Sequence, residues 1–203
     1  MIAIIDYGMG NLLSVQKALA SLGAEAAVVR TPEEVEQAEA LILPGVGAFG
    51  RAMENLTQRG LAPAIKAAVG EGKPFLGICL GMQLLLESSQ EAPGVEGLGL
   101  IGGTVKRLPG KKVPQIGWNC LEEMKQSPLF TGLDGKPYFY FVHSYYAAPA
   151  DPGVVAAKAD YQLKFPAAFW RDKLFALQFH PEKSSKKGLM ILNNFWKLVQ
   201  KCS

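Results

Sequence analysis

Two short strings, far apart in the chain, carry the side chains most able to do covalent chemistry. The first is Gly77-Ile78-Cys79-Leu80-Gly81, placed after an apolar run; the second is His180-Pro181-Glu182, placed at the end of another. A thiolate that attacks a carbonyl carbon needs a group to protonate what leaves, and an imidazole titrating near neutrality suits that task. The chain holds two histidines, His143 and His180, and three cysteines, Cys79, Cys120 and Cys202, so few Cys/His pairings are open. Glycines two before and two after Cys79 match the G-x-nucleophile-x-G elbow, a strained strand-to-helix turn with no room for flanking side chains. There, free N–H groups and the positive end of a helix dipole favour the anionic sulfur, and the N–H of Leu80 points to where an oxyanion forms. The competing reading of Cys79 is a buried structural cysteine, the commonest state of that residue. Cys120 and Cys202 lack the glycine context and are expected to be inert.

His180 and Glu182 are two residues apart. In extended chain such residues face the same side, so the carboxylate can meet the imidazole and set its tautomer. His143 lies in the aromatic run 138–146 with no carboxylate at that spacing; it reads as a hydrogen-bonded structural histidine. Pro44-Gly45-Val46-Gly47 follows a third apolar run, at the same sheet edge as Cys79, and is read as the source of a second oxyanion donor. The same stretch spells G-x-G-x-x-G from Gly45 to Gly50, and Gly8-Met9-Gly10 follows the first apolar run, so a dinucleotide site is the rival reading. A Rossmann fingerprint belongs in the first βαβ unit, with an acid ending the second strand. Here that strand ends at Arg30, and the 45–50 match comes after the third. Residues 6–11 equally suit a plain strand-to-helix connection. There is neither a P-loop nor a Cys/His/Asp set at metal spacing, so no metal and no cofactor are expected.

The elements that must position these groups follow from hydrophobic periodicity. Strands are expected at 2–6, 26–30, 40–43 and 75–78, alternating with helices at 11–22, about 49–59, 61–71 and 80–88. Gly23 is placed to stop the first helix, and Thr31-Pro32 with Glu34 forms a capping box for a short one. This alternation predicts an α/β fold of three layers, with a mostly parallel central sheet and helices on both faces. From residue 100 onward short β-like runs dominate: 103–108, 113–118, 138–142, 154–159, 167–170 and 174–179. They are expected as antiparallel extensions of the same sheet plus a small side sheet. Ser184 or Ser185 is expected to cap a closing helix, and 90–97 and 109–112 are expected to be surface loops. Residues 1–203 read as one domain.

Composition narrows the partners. The chain has 203 residues, 49% of them apolar, and a net charge of +3. Basic residues come in small groups and not as a stripe interleaved with aromatics, which argues against nucleic acid. No apolar run approaches the length of a membrane span, no secretory leader is recognisable, and the cysteines form no disulfide framework; a reduced, cytoplasmic protein is expected.

The motifs together resemble the class I (triad) glutamine amidotransferases. The resemblance rests on Asp6-Tyr7-Gly8-Met9-Gly10-Asn11, Pro44-Gly45-Val46-Gly47-Ala48-Phe49, Gly77-Ile78-Cys79-Leu80-Gly81-Met82-Gln83, Gly117-Trp118-Asn119, Tyr140-Phe141-Val142-His143-Ser144-Tyr145 and Phe179-His180-Pro181-Glu182-Lys183-Ser184, in this order along the whole chain. The branch most resembled is that of glutaminase subunits serving a (β/α)8-barrel cyclase in histidine biosynthesis. The resemblance implies L-glutamine as substrate, Cys79 as nucleophile, His180 as acid/base and Glu182 as its orienter. It implies an oxyanion hole from Leu80 and the Gly45-Val46 peptide, and glutamine held by Gly47, Gln83, Ser144 and Tyr145. It implies a cyclase partner docked over the site, near Asn11, Trp118, Asn119 and Lys183. A different enzyme on the same fold, such as a cysteine peptidase or another amidotransferase with a different synthase partner, and a non-catalytic binding module are the rival functions.

Overall fold

Short apolar strands alternate with helices apolar along one side, and such a chain hides its apolar surface by covering both faces of a sheet. The computed structural model describes residues 1–202. Along the first half run β1 (Ile2–Ile5), α1 (Leu12–Ser21), β2 (Ala26–Val29), α2 (Pro32–Gln37), β3 (Ala40–Gly45), α3 (Phe49–Gln58), α4 (Leu61–Gly70), β4 (Phe75–Cys79) and α5 (Leu80–Gln83). The second half adds β5 (Ser88–Ser89), β6 (Gly103–Arg107), β7 (Gln115–Cys120), β8 (Glu123–Met124), β9 (Tyr138–His143) and β10 (Tyr145–Pro149). It ends with β11 (Val155–Asp160), β12 (Lys164–Arg171), β13 (Leu174–Leu177) and α6 (Ser185–Gln200).

The main sheet has the order β2-β1-β3-β4-β13-β12-β11-β8. Its first five strands are parallel and its last three antiparallel. One face is covered by α2, α3, α4 and α5 through residues such as Val35, Phe49, Leu56, Ile65 and Leu80. The other is covered by α1 and α6 through Val15, Leu19, Ile191 and Phe195, together with Phe139 and Phe141 of β9. The three-layer expectation therefore describes the molecule.

Local signals behave as chemistry dictates. Gly23 takes φ +80° after α1. Thr31 accepts from the Glu34 amide while the Glu34 carboxylate accepts from the Thr31 amide, closing the capping box.

Four expectations need correction. β13 was expected among the antiparallel extensions but lies parallel to β4 near the centre of the sheet. All four of its residues are buried, and an apolar run without alternation is what a strand covered on both faces requires. Two small side sheets form where one was expected: β5-β6-β10, and a ribbon of β7 with β9. The helix expected over 80–88 ends at Gln83, because Leu84, Leu85 and Leu86 are all fully buried. One helical face cannot hide three consecutive leucines, and the backbone there tightens to bonds from Leu85 to Met82 and from Leu86 to Gln83. Ser184 precedes α6 but its hydroxyl does not cap it. That oxygen is buried; it accepts from the Tyr140 amide at 2.9 Å and donates to the His180 carbonyl at 2.6 Å.

Phe179 ties the end of β13 to β9. Its ring stacks on Phe139 with centroids 4.2 Å apart and meets Phe141 edge-on at 5.6 Å. Phe179→Ala is expected to lower unfolding stability by about 3–5 kcal/mol, the usual loss for an emptied aromatic site. Denaturant unfolding checks this, and a loss under about 1 kcal/mol would mean that other contacts hold this edge.

Candidate active site

The carboxyl ends of β3, β4 and β13 lie side by side, and the groups singled out in the sequence emerge there. Cys79 closes β4 with φ +54° and ψ −106°, a left-handed backbone that a side-chain-bearing residue rarely adopts. Such strain costs on the order of 1–3 kcal/mol and persists only where neighbours enforce it. The flanking glycines are the enforcers. A Cβ at Gly77 would lie 2.8 Å from the Gly81 carbonyl oxygen, and one at Gly81 would run into the Leu43 carbonyl of β3. Helix α5 is thus pressed against the strands, and the chain can leave β4 only by the sharp turn at Cys79.

The Cys79 sulfur is nearly buried. It lies 3.7 Å from the Val142 carbonyl oxygen and 3.7 Å from Nε2 of Gln178. His180 is set by its amide, which donates to the Tyr140 carbonyl at 2.9 Å, and by the Ser184 hydroxyl on its own carbonyl. Its Nδ1 faces Oε1 of Glu182 at 2.9 Å, with both side chains almost wholly buried. Burial opposes the charged imidazole. The nearby Cys79 and the hydrogen-bonded Glu182, through the negative charge of both, overcome burial and push His180 up to about 10. His143 goes the other way. Burial drives it down to about 4 and the nearby His180 adds to this, against the hydrogen bond to the Tyr145 carbonyl. The ring is therefore neutral, with Nδ1 donating to that carbonyl at 2.8 Å and Nε2 at 3.0 Å from the Gln115 carboxamide. This is the structural histidine expected from its surroundings.

A cavity of about 290 Å³ opens over the sulfur. Cys79, Leu80, His180, Gln83, Val46 and Gly47 line it, and Ser144, Tyr145 and Lys183 are part of its wall together with Val142 and the hydrogen-bonded His143. Glu182 stands behind His180. Gly45 pairs in register with Cys79, and a Cβ there would collide with the Tyr7 hydroxyl. Gly47 has φ +107°, with Met9 Cε 2.7 Å from where its Cβ would stand. The Tyr7 hydroxyl is buried and has no hydrogen-bond partner among the described residues; burial, then the charge of Cys79, raises its ionisation well above the usual range.

The remaining expected residues lie elsewhere. Trp118 is 52% exposed on the β7-β9 ribbon. Asn119 turns back to the body, donating to the Asp160 carbonyl at 2.9 Å and accepting from the Cys120 amide. Asn11 stands before α1 without capping it. Cys120 and Cys202 do not line the cavity.

Sequence reasoning missed two polar residues of the site. The loop 90–97, expected at the surface, sends Glu91 into the cavity wall, where its Oε2 accepts from the Phe49 amide at the start of α3 at 2.8 Å. No spacing in the sequence marks it. Gln178 is fully buried beside the sulfur. His180 and Glu182 meet over a single 3-10 turn, Pro181–Lys183, and not across the extended chain expected, with the Lys183 amide bonded to the His180 carbonyl at 3.1 Å. A spacing of two before His180 still points to 178, so a signal existed. The rival dinucleotide loop at 6–11 is closed on itself: Asp6 accepts from the Gly8 amide and pairs with Arg30 at 2.8 Å.

Known proteins match the chain along nearly its whole length. The family model "Glutamine amidotransferase class-I" matches residues 3–198. The chain is 54% identical over 200 residues to the imidazole glycerol phosphate synthase subunit HisH of Moorella thermoacetica, covering 98% of this chain and 95% of that protein. It is 52% identical over 201 residues to the protein of the same name from Methanothermobacter thermautotrophicus, covering 98% and 100%. A crystal structure of a glutamine amidotransferase superposes with a TM-score of 0.78 at 25% identity, covering 98% of this chain and all of that one.

The raised His180 makes stability depend on pH in one direction. Its folded value, about 10, lies above the ordinary 6.5. Stabilisation by its charge is fully present below about pH 6.5 and is lost as pH rises toward 10. Thermal midpoints compared with those of His180→Asn across that window should converge as pH rises. A gap that widens with pH would contradict the charged pair.

Proposed function

The chain belongs to the class I glutamine amidotransferases, and we propose that it is the glutaminase subunit of imidazole glycerol phosphate synthase. It hydrolyses L-glutamine to glutamate and ammonia for histidine biosynthesis. The reading is carried by one observation, the buried Cys79 at an enforced elbow with His180 and Glu182 linked beside it.

The residues act as follows. The Cys79 thiolate attacks the carboxamide carbon of glutamine, and the oxygen that gains charge is held by the Leu80 N–H and an N–H of the Gly45-Val46 peptide. Losing one such donor typically costs about 3–4 kcal/mol in the transition state. His180 protonates the departing nitrogen, ammonia leaves, and a glutamyl thioester remains on Cys79. The neutral imidazole then takes a proton from water, whose oxygen attacks the thioester to release glutamate and restore the thiolate. Glu182 keeps the ring oriented through Nδ1 in both steps. Gln83 and the backbone at Gly47, Ser144 and Tyr145 grip the amino-acid substrate. Glu91, a carboxylate on the cavity wall, suits its α-ammonium group.

Ammonia released into water near neutral pH is protonated and no longer nucleophilic, so a glutaminase needs an acceptor enzyme at its mouth. We assign that place to a (β/α)8-barrel cyclase subunit, which forms imidazole glycerol phosphate. Exposed apolar side chains support a protein partner there. Ile116, Trp118, Tyr138 and Val142 are exposed on the β7-β9 ribbon, with Ile116 paired to Val142 and Trp118 to Tyr140. Lys183 at the cavity mouth and Asn11 belong to the same proposed contact, and Asn119 supports the ribbon from behind. Residues 1–203 act as one domain, in the cytoplasm. Among the described residues no helix is long and apolar enough to cross a membrane.

Ammonia release from glutamine, measured with and without the cyclase and its ligand, tests this reading directly; peptide cleavage in its place would overturn it. Cys79→Ala is expected to abolish glutamine-driven synthesis by the complex while synthesis from added ammonium salt continues. Surviving glutamine-driven synthesis would move the nucleophile elsewhere. Glu91→Gln is expected to raise the KM for glutamine about tenfold or more with a smaller change in kcat, as loss of a charge-assisted contact made in both ground and transition states should. An unchanged KM would remove Glu91 from the substrate site.

A further inference from the structure

Gln178 lies fully buried between two groups of the site, and the direction of its hydrogen bonds follows from a single backbone carbonyl. The Tyr145 carbonyl oxygen can only accept, so the Gln83 atom 2.8 Å from it is the amide nitrogen Nε2. The same Nε2 lies 3.0 Å from Gln178 and donates its second proton there, so the Gln178 atom facing it is the oxygen Oε1. That choice turns Nε2 of Gln178 toward Cys79, 3.7 Å from the sulfur. The Val142 carbonyl can only accept, so the protonated sulfur donates to it and the charged sulfur has no bond there. Gln178 thus gives the sulfur an N–H donor from a wholly buried side chain, apart from His180. Gln83, with both amide protons engaged, is left with only its oxygen to offer the cavity.

We propose that Gln178 is a positioning residue that acts at both ends of its carboxamide. Through Nε2 it holds the Cys79 sulfur, in its negatively charged form, aimed into the cavity. Through Oε1 it locks Gln83 so that an acceptor, and not a donor, meets the substrate. The Tyr145 carbonyl, Gln83, Gln178 and Cys79 form one directional chain from the substrate-binding strand to the attacking atom. This assignment rests on the glutaminase reading for its meaning, but the bond to the sulfur can be tested without glutamine.

The experiment uses the full chain with Gln178→Met, which fills the space and makes neither bond, and Gln178→Glu, which places a carboxylate oxygen where the donor stood. Alkylation of Cys79 by iodoacetamide at pH 7.5, without glutamine, is followed by mass spectrometry of the Cys79 peptide. Thermal midpoints establish that each variant is folded. Alkylation is expected to slow about tenfold or more in Gln178→Met, the effect of losing a hydrogen bond to a charged group, and further in Gln178→Glu. In the complex, Gln178→Met is also expected to raise the KM for glutamine and to lower kcat, because both ends of the carboxamide are lost. Gln178→Met alkylating within twofold of the parent would overturn the proposal. If Gln178→Glu does not fold, Gln178→Met alone decides. If the parent releases no ammonia from glutamine, the glutaminase reading falls, and the alkylation rates still judge Gln178.

Discussion

The site depends on a clash avoided. Gly81 has no Cβ, so the first turn of α5 can rest directly on the Leu43 carbonyl of β3. Gly77 likewise leaves room beneath the Gly81 carbonyl. With the helix pressed that close, the single residue joining β4 to α5 must turn through a left-handed conformation, and that residue is Cys79. Its side chain is thereby thrown off the sheet and out over the carboxyl edge. The amide of Leu80, next in line, is the first N–H of the helix and has no acceptor within it.

The other half of the site is delivered by the chain's return to the sheet centre. β13 enters beside β4 in parallel register, so whatever follows Leu177 emerges next to Cys79. Phe179 is gripped by Phe139 and Phe141. His180 is hydrogen-bonded through both its amide and its carbonyl, to Tyr140 and Ser184. Ser184 could have capped α6; its hydroxyl instead fastens the backbone that carries the imidazole. Glu182 reaches Nδ1 across a single proline. A local helix signal has yielded to the tertiary demand of orienting one ring.

Much of this was legible in the sequence, and the reason is chemical. The elbow needs glycine at two fixed offsets, the His–Glu pair needs a spacing of two, and the capping box at Thr31 needs Glu34; each is a local rule that residues state on their own. What could not be read depends on distant partners. The parallel pairing of β13 shows only in its unbroken apolar run, which suits a buried antiparallel strand nearly as well. The early end of α5 follows from where Leu84, Leu85 and Leu86 find cover. Glu91 reaches the cavity because a loop folds over the start of α3, and nothing in its own neighbourhood announces that. Gln178 was readable from its offset to His180, yet an uncharged amide draws less notice than a carboxylate. Asn119 shares a strand with Trp118 but alternation turns it the other way, so adjacency in a motif does not mean a shared surface.

The central claim is that Cys79, with His180 at its side, forms the covalent bond to glutamine. Acid quenching of the cyclase-bound protein during turnover, followed by peptide mass spectrometry, measures this most directly. A glutamyl group is expected on the Cys79 peptide alone. The same adduct on Cys120, on Cys202 or on a residue other than cysteine would contradict it.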